Sequence, residues 1–225
     1  RPFVGGVVLR AIYPAYLERT PEGLPVGEVA RIPRGTRVEV EGRASTALER
    51  VYVKKTESDS VLFQVSGQAF TGRLQPAESG RWDWYANGSR GAITDVPLPI
   101  EIEVIPDSAP RVELVSPATD TLIAATERIQ LEVTATDDHG FSTIELHSTR
   151  TAARGAADAP IALRLSGTQG PIWNGTPVLD LSTRGLKAGD ALRVTIVATD
   201  NSPWQQRGES RVLVLRVPTM GERRV

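Results

Sequence analysis

Leu74-Gln75-Pro76-Ala77-Glu78-Ser79-Gly80-Arg81-Trp82-Asp83-Trp84-Tyr85-Ala86 carries two of the chain's four tryptophans. Gly80 permits a tight turn into an extended segment. Successive side chains of a strand point to opposite sides. Trp82, Trp84 and Ala86 therefore share one face, and Arg81, Asp83 and Tyr85 share the other. Two indoles on one face and charges on the opposite face decide which side is dry. The Trp82, Trp84 and Ala86 face is expected in a core, lined also by Phe70, Val38 and Val40.

The same alternation recurs on both sides of this segment. Val38-Glu39-Val40-Glu41 and Ile100-Glu101-Ile102-Glu103-Val104 alternate apolar with acidic residues, as do Leu131-Glu132-Val133-Thr134-Ala135 and Leu192-Arg193-Val194-Thr195-Ile196 with polar ones. Such patterns fit antiparallel sheets with one wet side. With 20 Gly and 16 Pro punctuating the runs, the fold class is all-β. Strands are expected near 6–12, 36–43, 50–55, 61–65, 68–74, 80–87 and 98–105, then near 111–115, 129–137, 142–150, 160–166, 177–182, 190–199 and 209–217. Pro106-Asp107-Ser108-Ala109-Pro110 separates the two sets, because two prolines withhold ladder donors and stiffen a short linker. Two domains, 1–106 and 107–225, forming a semi-rigid rod, are the expectation.

The formal net charge of the 225 residues is −1, with 26 basic and 27 acidic side chains interspersed. That balance gives no electrostatic reason to expect nucleic acid. No cysteine is present, so the cores must hold without disulfides and no thiolate chemistry or Cys-based metal site exists. No apolar run of 18 or more residues marks a membrane-spanning helix. Met220 is the only methionine, and a chain beginning Arg1-Pro2-Phe3 reads as a mature product or a fragment of something longer. His139 and His147 are the only histidines, and neither falls in a helical His-Glu-x-x-His pattern. A Gly-x-Ser-x-Gly elbow and a glycine-rich phosphate loop are likewise missing from the sequence. An enzyme is not expected.

The opening stretch resembles the corner between strands E and F of immunoglobulin domains, where Leu, an acid, Gly, Tyr, Cys and Ala recur at this spacing. Trp82 stands where that corner has its tyrosine and Trp84 where it has its disulfide cysteine. The resemblance therefore implies that the Trp84 indole fills the volume of the bridge. Ala30-Arg31-Ile32-Pro33-Arg34-Gly35-Thr36-Arg37-Val38-Glu39-Val40 is similar to the lead-in to such a domain's second strand. Two tandem immunoglobulin-like antiparallel β-sandwiches follow, since seven short strands per about 100 residues is their spacing.

From Pro106 to Pro117, through Thr136-Asp137-Asp138-His139-Gly140, to Ala198-Thr199-Asp200-Asn201 and Leu215-Arg216-Val217-Pro218, the second half resembles repeated immunoglobulin-like, cadherin-like segments of large membrane-anchored bacterial envelope proteins. Leu9-Arg10-Ala11-Ile12-Tyr13-Pro14-Ala15-Tyr16 is similar to the start of the preceding module in that family. The resemblance implies a place on the periplasmic or extracytoplasmic face of the cytoplasmic membrane and a non-catalytic role. A narrower resemblance is to a periplasmic accessory subunit of bacterial photosynthetic reaction-centre and light-harvesting complexes. No residue pattern marks pigment binding, because neither histidine sits in an apolar helix.

Two sets of candidate site residues emerge. Asp107, Asp137, Asp138, Asp200 and Asn201 would gather hard oxygen ligands for calcium if the linker and two loops meet at one end, as in cadherin-like modules. The same residues are turn formers, their side-chain oxygens accepting from nearby backbone N–H groups. Tyr13, Tyr16 and Leu17 open a Pro- and Gly-rich stretch reaching Gly35 that is long for a connection. Trp204 and Arg207 sit in a loop at the other end of the chain. Tyr, Trp and Arg on loops are the residues of binding hot spots; equally, Tyr13 and Tyr16 could fold back over an open edge of their own domain.

The leading expectation is a structural or interaction module docking on, or scaffolding, an envelope membrane complex. Its partners would be protein subunits of that complex or the remainder of a larger envelope protein. The alternative is a ligand-binding module for envelope polysaccharide or calcium. Sugar binding wants a row of outward aromatics, which Trp82 and Trp84 supply only if they face solvent.

Overall fold

A computed structural model describes residues 1–155 and 157–222. The chain divides into two compact units, Arg1–Asp107 and Ser108–Val225.

The first unit contains β1 (Val4–Ile12), β2 (Glu22–Leu24), β3 (Val29–Pro33), β4 (Arg37–Ala44), β5 (Leu48–Thr56), β6 (Asp59–Leu62), β7 (Gln64–Ser66), β8 (Ala69–Leu74), β9 (Gly80–Gly88), β10 (Gly91–Ile93) and β11 (Ile100–Ile105). One sheet runs β2-β1-β4-β8-β7, and the other runs β3-β11-β9-β5-β6 with β10 on β9. The inward residues of the first, among them Leu9, Val38, Val40, Phe70 and Leu74, meet Val51, Val53, Trp82, Trp84, Ala86, Ile100 and Ile102 of the second. Trp82, Trp84, Ala86, Phe70, Val38 and Val40 are all buried, as their parity requires.

Trp84 sets the middle of this core. Its indole stands edge-on to Phe63 and to Phe70, each at 5.6 Å between centroids, and the two phenyl rings stack at 5.8 Å. Its Nε1–H donates to the Leu98 carbonyl at 3.1 Å, so the one polar atom is satisfied on burial. Three aromatic rings pack together between the sheets, and Gly42 and Gly72 make the room. A β-carbon on Gly42 would lie 2.4 Å from Phe70, and one on Gly72 would lie 2.3 Å from Phe63.

The second unit contains β12 (Arg111–Ser116), β13 (Thr121–Leu122), β14 (Arg128–Gln130), β15 (Glu132–Thr136), β16 (Phe141–Thr151), β17 (Ile161–Ser166), β18 (Ile172–Gly175), β19 (Val178–Asp180), β20 (Ala191–Asp200), β21 (Arg207–Glu209) and β22 (Leu213–Arg216). One sheet is β12-β15-β18 and the other is β13-β22-β20-β16-β17, with β21 on β20; β14 pairs with β19. Leu131, Phe141, Ile144, Leu181, Leu192, Ile196 and Leu213 are among the fully buried side chains between them.

Both units share one topological device. The chain leaves its opening strand in one sheet and crosses to the other, where it pairs parallel with the last strand: β3 with β11 and β13 with β22. All other pairings of named strands are antiparallel. Each unit is an immunoglobulin-like β-sandwich.

The structure departs from the sequence reading at the edges. The run at 61–65 is two strands, β6 in one sheet and β7 in the other. Between them buried Phe63 carries the chain across the sandwich while its N–H donates to the Val51 carbonyl at 2.9 Å. The run at 129–137 breaks in the same way at Leu131, which is fully buried and donates to the Pro177 carbonyl at 2.8 Å. The stretch 13–35 is not an extended loop. It folds into a short 3-10 turn at Ala15–Leu17, then β2 against β1, then β3, whose Ala30 and Ile32 enter the core. Asn174 lies within β18, where its Oδ1 accepts from Thr134 Oγ1 at 3.0 Å.

Candidate functional site

At one end of the second sandwich two loops are tied together. Asp137 follows β15 and Asp200 ends β20, directly opposite Phe141 in the ladder. Asn201 N–H donates to the Gly140 carbonyl at 3.2 Å, and Asn201 Nδ2–H to the His139 carbonyl at 3.0 Å. Each aspartate is clamped through one oxygen. Asp137 Oδ2 accepts from the N–H groups of His139 and Gly140, both at 2.8 Å, and Gly140 sustains the turn at φ 110°. Asp200 Oδ1 accepts from Ser202 N–H at 3.2 Å, Ser202 Oγ–H at 2.7 Å and Gln206 N–H at 3.0 Å. This is the turn chemistry that the sequence offers.

The remaining oxygens are different. Asp137 Oδ1, Asp200 Oδ2 and Asn201 Oδ1 are buried and have no hydrogen-bond partner. Asp137 is 8% exposed and Asp200 fully buried. Burial pushes the Asp137 carboxyl above the usual carboxylate range; the two N–H donors pull it down without cancelling that rise, and nearby Asp138 and Asp200 add to it.

Asp138 lies apart from this buried group in its bonding. Its Oδ2 accepts from Ser108 N–H at 3.4 Å and sits 3.6 Å from His139 Nε2. Asp107 belongs to the first unit, where its Oδ1 accepts the Tyr16 hydroxyl at 3.3 Å. Tyr13, Tyr16 and Leu17 are all half-buried. Tyr13 donates its hydroxyl to Glu22 Oε2 at 3.0 Å, and the Arg19 guanidinium lies 3.9 Å over its ring. That bonding makes Tyr13 part of the hairpin of its own domain. Trp204 is half-buried in a tight loop where Gln205 takes the left-handed conformation, and exposed Arg207 begins β21. His147 is half-buried on β16, its Nε2 3.4 Å from Glu145 Oε1.

The sequence reading missed a groove of about 770 Å³ across the outer face of β1, β4 and β8. Arg10, Glu39 and Arg73 lie side by side across the three strands, with Arg37, Val8 and Leu62 around them. Arg37 Nη2 donates to Glu39 Oε1 at 3.3 Å, while its Nε is buried with no hydrogen-bond partner. Alternation marks these side chains only as outward; their alignment depends on strand register, which the sequence does not display.

Trp82 and Trp84 face the core and so form no surface row. On the outer face of β5 and β9, Tyr52 and Tyr85 stack on each other at 5.1 Å, with Arg50 over Tyr52 at 4.6 Å and Lys54 near Tyr85 at 4.9 Å. Cationic side chains thus lie beside both rings, and Tyr85 remains 38% exposed.

No family model matches the chain, and no curated protein matches it. Among solved structures it is similar to the fibronectin(III)-like modules of CbhA from Clostridium thermocellum, at 15% identity over 89% of this chain and 96% of that one, TM-score 0.32. It is similar to the titin domains Z1Z2 in complex with telethonin, at 15% identity over 89% and 95%, TM-score 0.33. A 1.5-MDa bacterial ice-binding adhesin matches at 12% identity over 94% of this chain and 65% of that one, TM-score 0.37. Likenesses this distant identify no ligand. Among the described residues, no helix is long and apolar enough to cross a membrane.

Proposed function

We propose that the chain is a non-catalytic interaction module whose first domain receives a segment of a partner protein in the groove over β1, β4 and β8. In this reading it docks on, or scaffolds, an envelope membrane-protein complex outside the cytoplasmic membrane. A photosynthetic reaction-centre complex is one such setting, and the remainder of a larger envelope protein is another.

The observation that carries the reading is the groove itself, whose floor sets Arg10, Glu39 and Arg73 side by side across three strands. Arg10 and Arg73 flank Glu39, so the floor offers both signs of charge. Such a floor suits a protein segment of mixed charge better than a polyanion, which would meet Glu39 and Glu41. Exposed Val8 and Leu62 add apolar contact at the rim. Tyr16, Leu17, Trp204 and Arg207 are a second proposed contact set.

Chemical labelling of arginines in the native complex, compared with the isolated chain, tests this. Arg10 and Arg73 should be protected in the complex. Arg10→Glu with Arg73→Glu should weaken association about tenfold or more without lowering the melting temperature of the isolated chain. Unchanged labelling of both arginines would eliminate the groove as the contact. Tyr16→Ala with Trp204→Ala, read in the same assay, tests the second set: lost stability with association intact means that those aromatics serve the fold.

A further inference from the structure

We infer that the second domain binds a divalent cation of the calcium class through Asp137 Oδ1, Asp200 Oδ2 and Asn201 Oδ1. The cluster of acids would not by itself make a site; the three orphaned oxygens do. All are acceptors, all are buried, and no protein group donates to any of them. Each carboxylate is already oriented by backbone N–H groups through its other oxygen. The two loops are joined by the Asn201–Gly140 and Asn201–His139 hydrogen bonds. Asp200 stands directly opposite Phe141 in the ladder, which sets its loop beside the Asp137–Gly140 turn.

Three things could satisfy such a set. A water donates two hydrogens and leaves one acceptor orphaned. A proton on Asp137 would serve one neighbour and leave the other. A hard cation accepts all three oxygens at once and removes the repulsion between buried carboxylates. Carboxylate and amide oxygens, without nitrogen or sulfur, select calcium-like ions over zinc. Further ligands would come from backbone carbonyls or water, as calcium's six to eight coordination permits. The inference does not depend on the groove of the first domain, which shares none of these residues.

The test uses the intact chain, stripped with EDTA and titrated with calcium chloride, read by calorimetry and thermal melting. One site with Kd of roughly 10⁻⁴–10⁻³ M, the range of extracellular modules, is expected. Calcium at ten times Kd should raise the melting temperature of the second domain by about 5 °C. Asp137→Asn keeps an acceptor for the two N–H groups and turns its amide hydrogens toward the orphaned oxygens. It should melt above the wild type in EDTA and no longer respond to calcium. Should that variant fold poorly, Asp200→Asn supplies the second arm: its amide oxygen still accepts from Ser202 and Gln206, and its calcium response should likewise be lost. Absence of heat and of any melting shift at about 10 mM calcium overturns the inference. So does undiminished binding in Asp137→Asn or in Asp200→Asn.

Discussion

Trp84 touches Phe63 and Phe70 edge-on and hydrogen-bonds the Leu98 carbonyl, so its removal takes away dispersion contacts and a satisfied polar atom together. Trp84→Ala should destabilise the first domain by about 3–5 kcal/mol, the range for deleting a large buried aromatic. Gly72→Ala approaches the same cluster from the other side. The added methyl would press on the Phe63 ring at 2.3 Å, and overpacking of this kind costs about 1–3 kcal/mol. Denaturant melts of the two variants check both, and a neutral Gly72→Ala would show that Phe63 has room to shift. The burial of Trp84 was legible from its parity with Trp82 and Ala86. The demand for glycine at 42 and 72 was not, because it arises from which ring lies across the core. The unpaired oxygens of Asp137 and Asp200 were hidden for a related reason: turn residues look alike whether one of their oxygens is satisfied or both.

Elements with long alternating runs, such as β4, β9, β11 and β20, could be read from the sequence because each has one dry face along its length. The short edge strands could not. β3 offers only Ala30 and Ile32 as inward residues, amid prolines and glycines that signal a loop. Its stability comes from the β11 partner, which local pattern does not reveal. Ile32 is fully buried, so Ile32→Ala should destabilise the first domain by about 2–5 kcal/mol. A loop at 13–35 would predict almost no change, and an equilibrium urea melt separates the two. Breaks at Phe63 and Leu131 were invisible for the opposite reason. Phe63 continues an apolar run and Leu131 keeps the alternation of its own, so only the switch of hydrogen-bond partners shows that a strand ends there.

Across the whole molecule, the division into two sandwiches could be read from the proline-bounded linker and from the two sets of strands. Response to acid depends on details beyond such patterns. Asp190, buried at the entry to β20, accepts from Lys187 N–H at 3.0 Å and Ala153 N–H at 3.2 Å, with Arg150 Nη1 at 3.9 Å. The Lys187 N–H above all, then the Ala153 N–H and the charges of Arg150 and Lys187, hold its carboxyl below the ordinary aspartate range despite an opposing effect of burial. A carboxylate whose folded pKa is depressed stabilises the fold above its unfolded pKa, near 4, and loses that contribution as pH falls through the folded value. Asp190→Asn should therefore be less stable than wild type at neutral pH. The gap should close as the pH drops below about 4. A gap that stays constant with pH would mean that the charge of Asp190 contributes nothing.

The parallel pairing that closes each sandwich has a mechanical meaning. In a parallel pair, the upstream end of one strand and the downstream end of the other lie at opposite ends of the ladder. Tension through a domain's two ends, once its opening strand has peeled away, would pull these strands past each other and strain their hydrogen bonds together rather than one by one. The first domain's ladder runs from Val29 opposite Glu101 to Pro33 opposite Ile105. In the second, only Thr121 and Leu122 face Leu215 and Arg216. A chain stretched between two anchors should yield first in its second domain, at a lower force in single-molecule pulling, while the first domain stays folded.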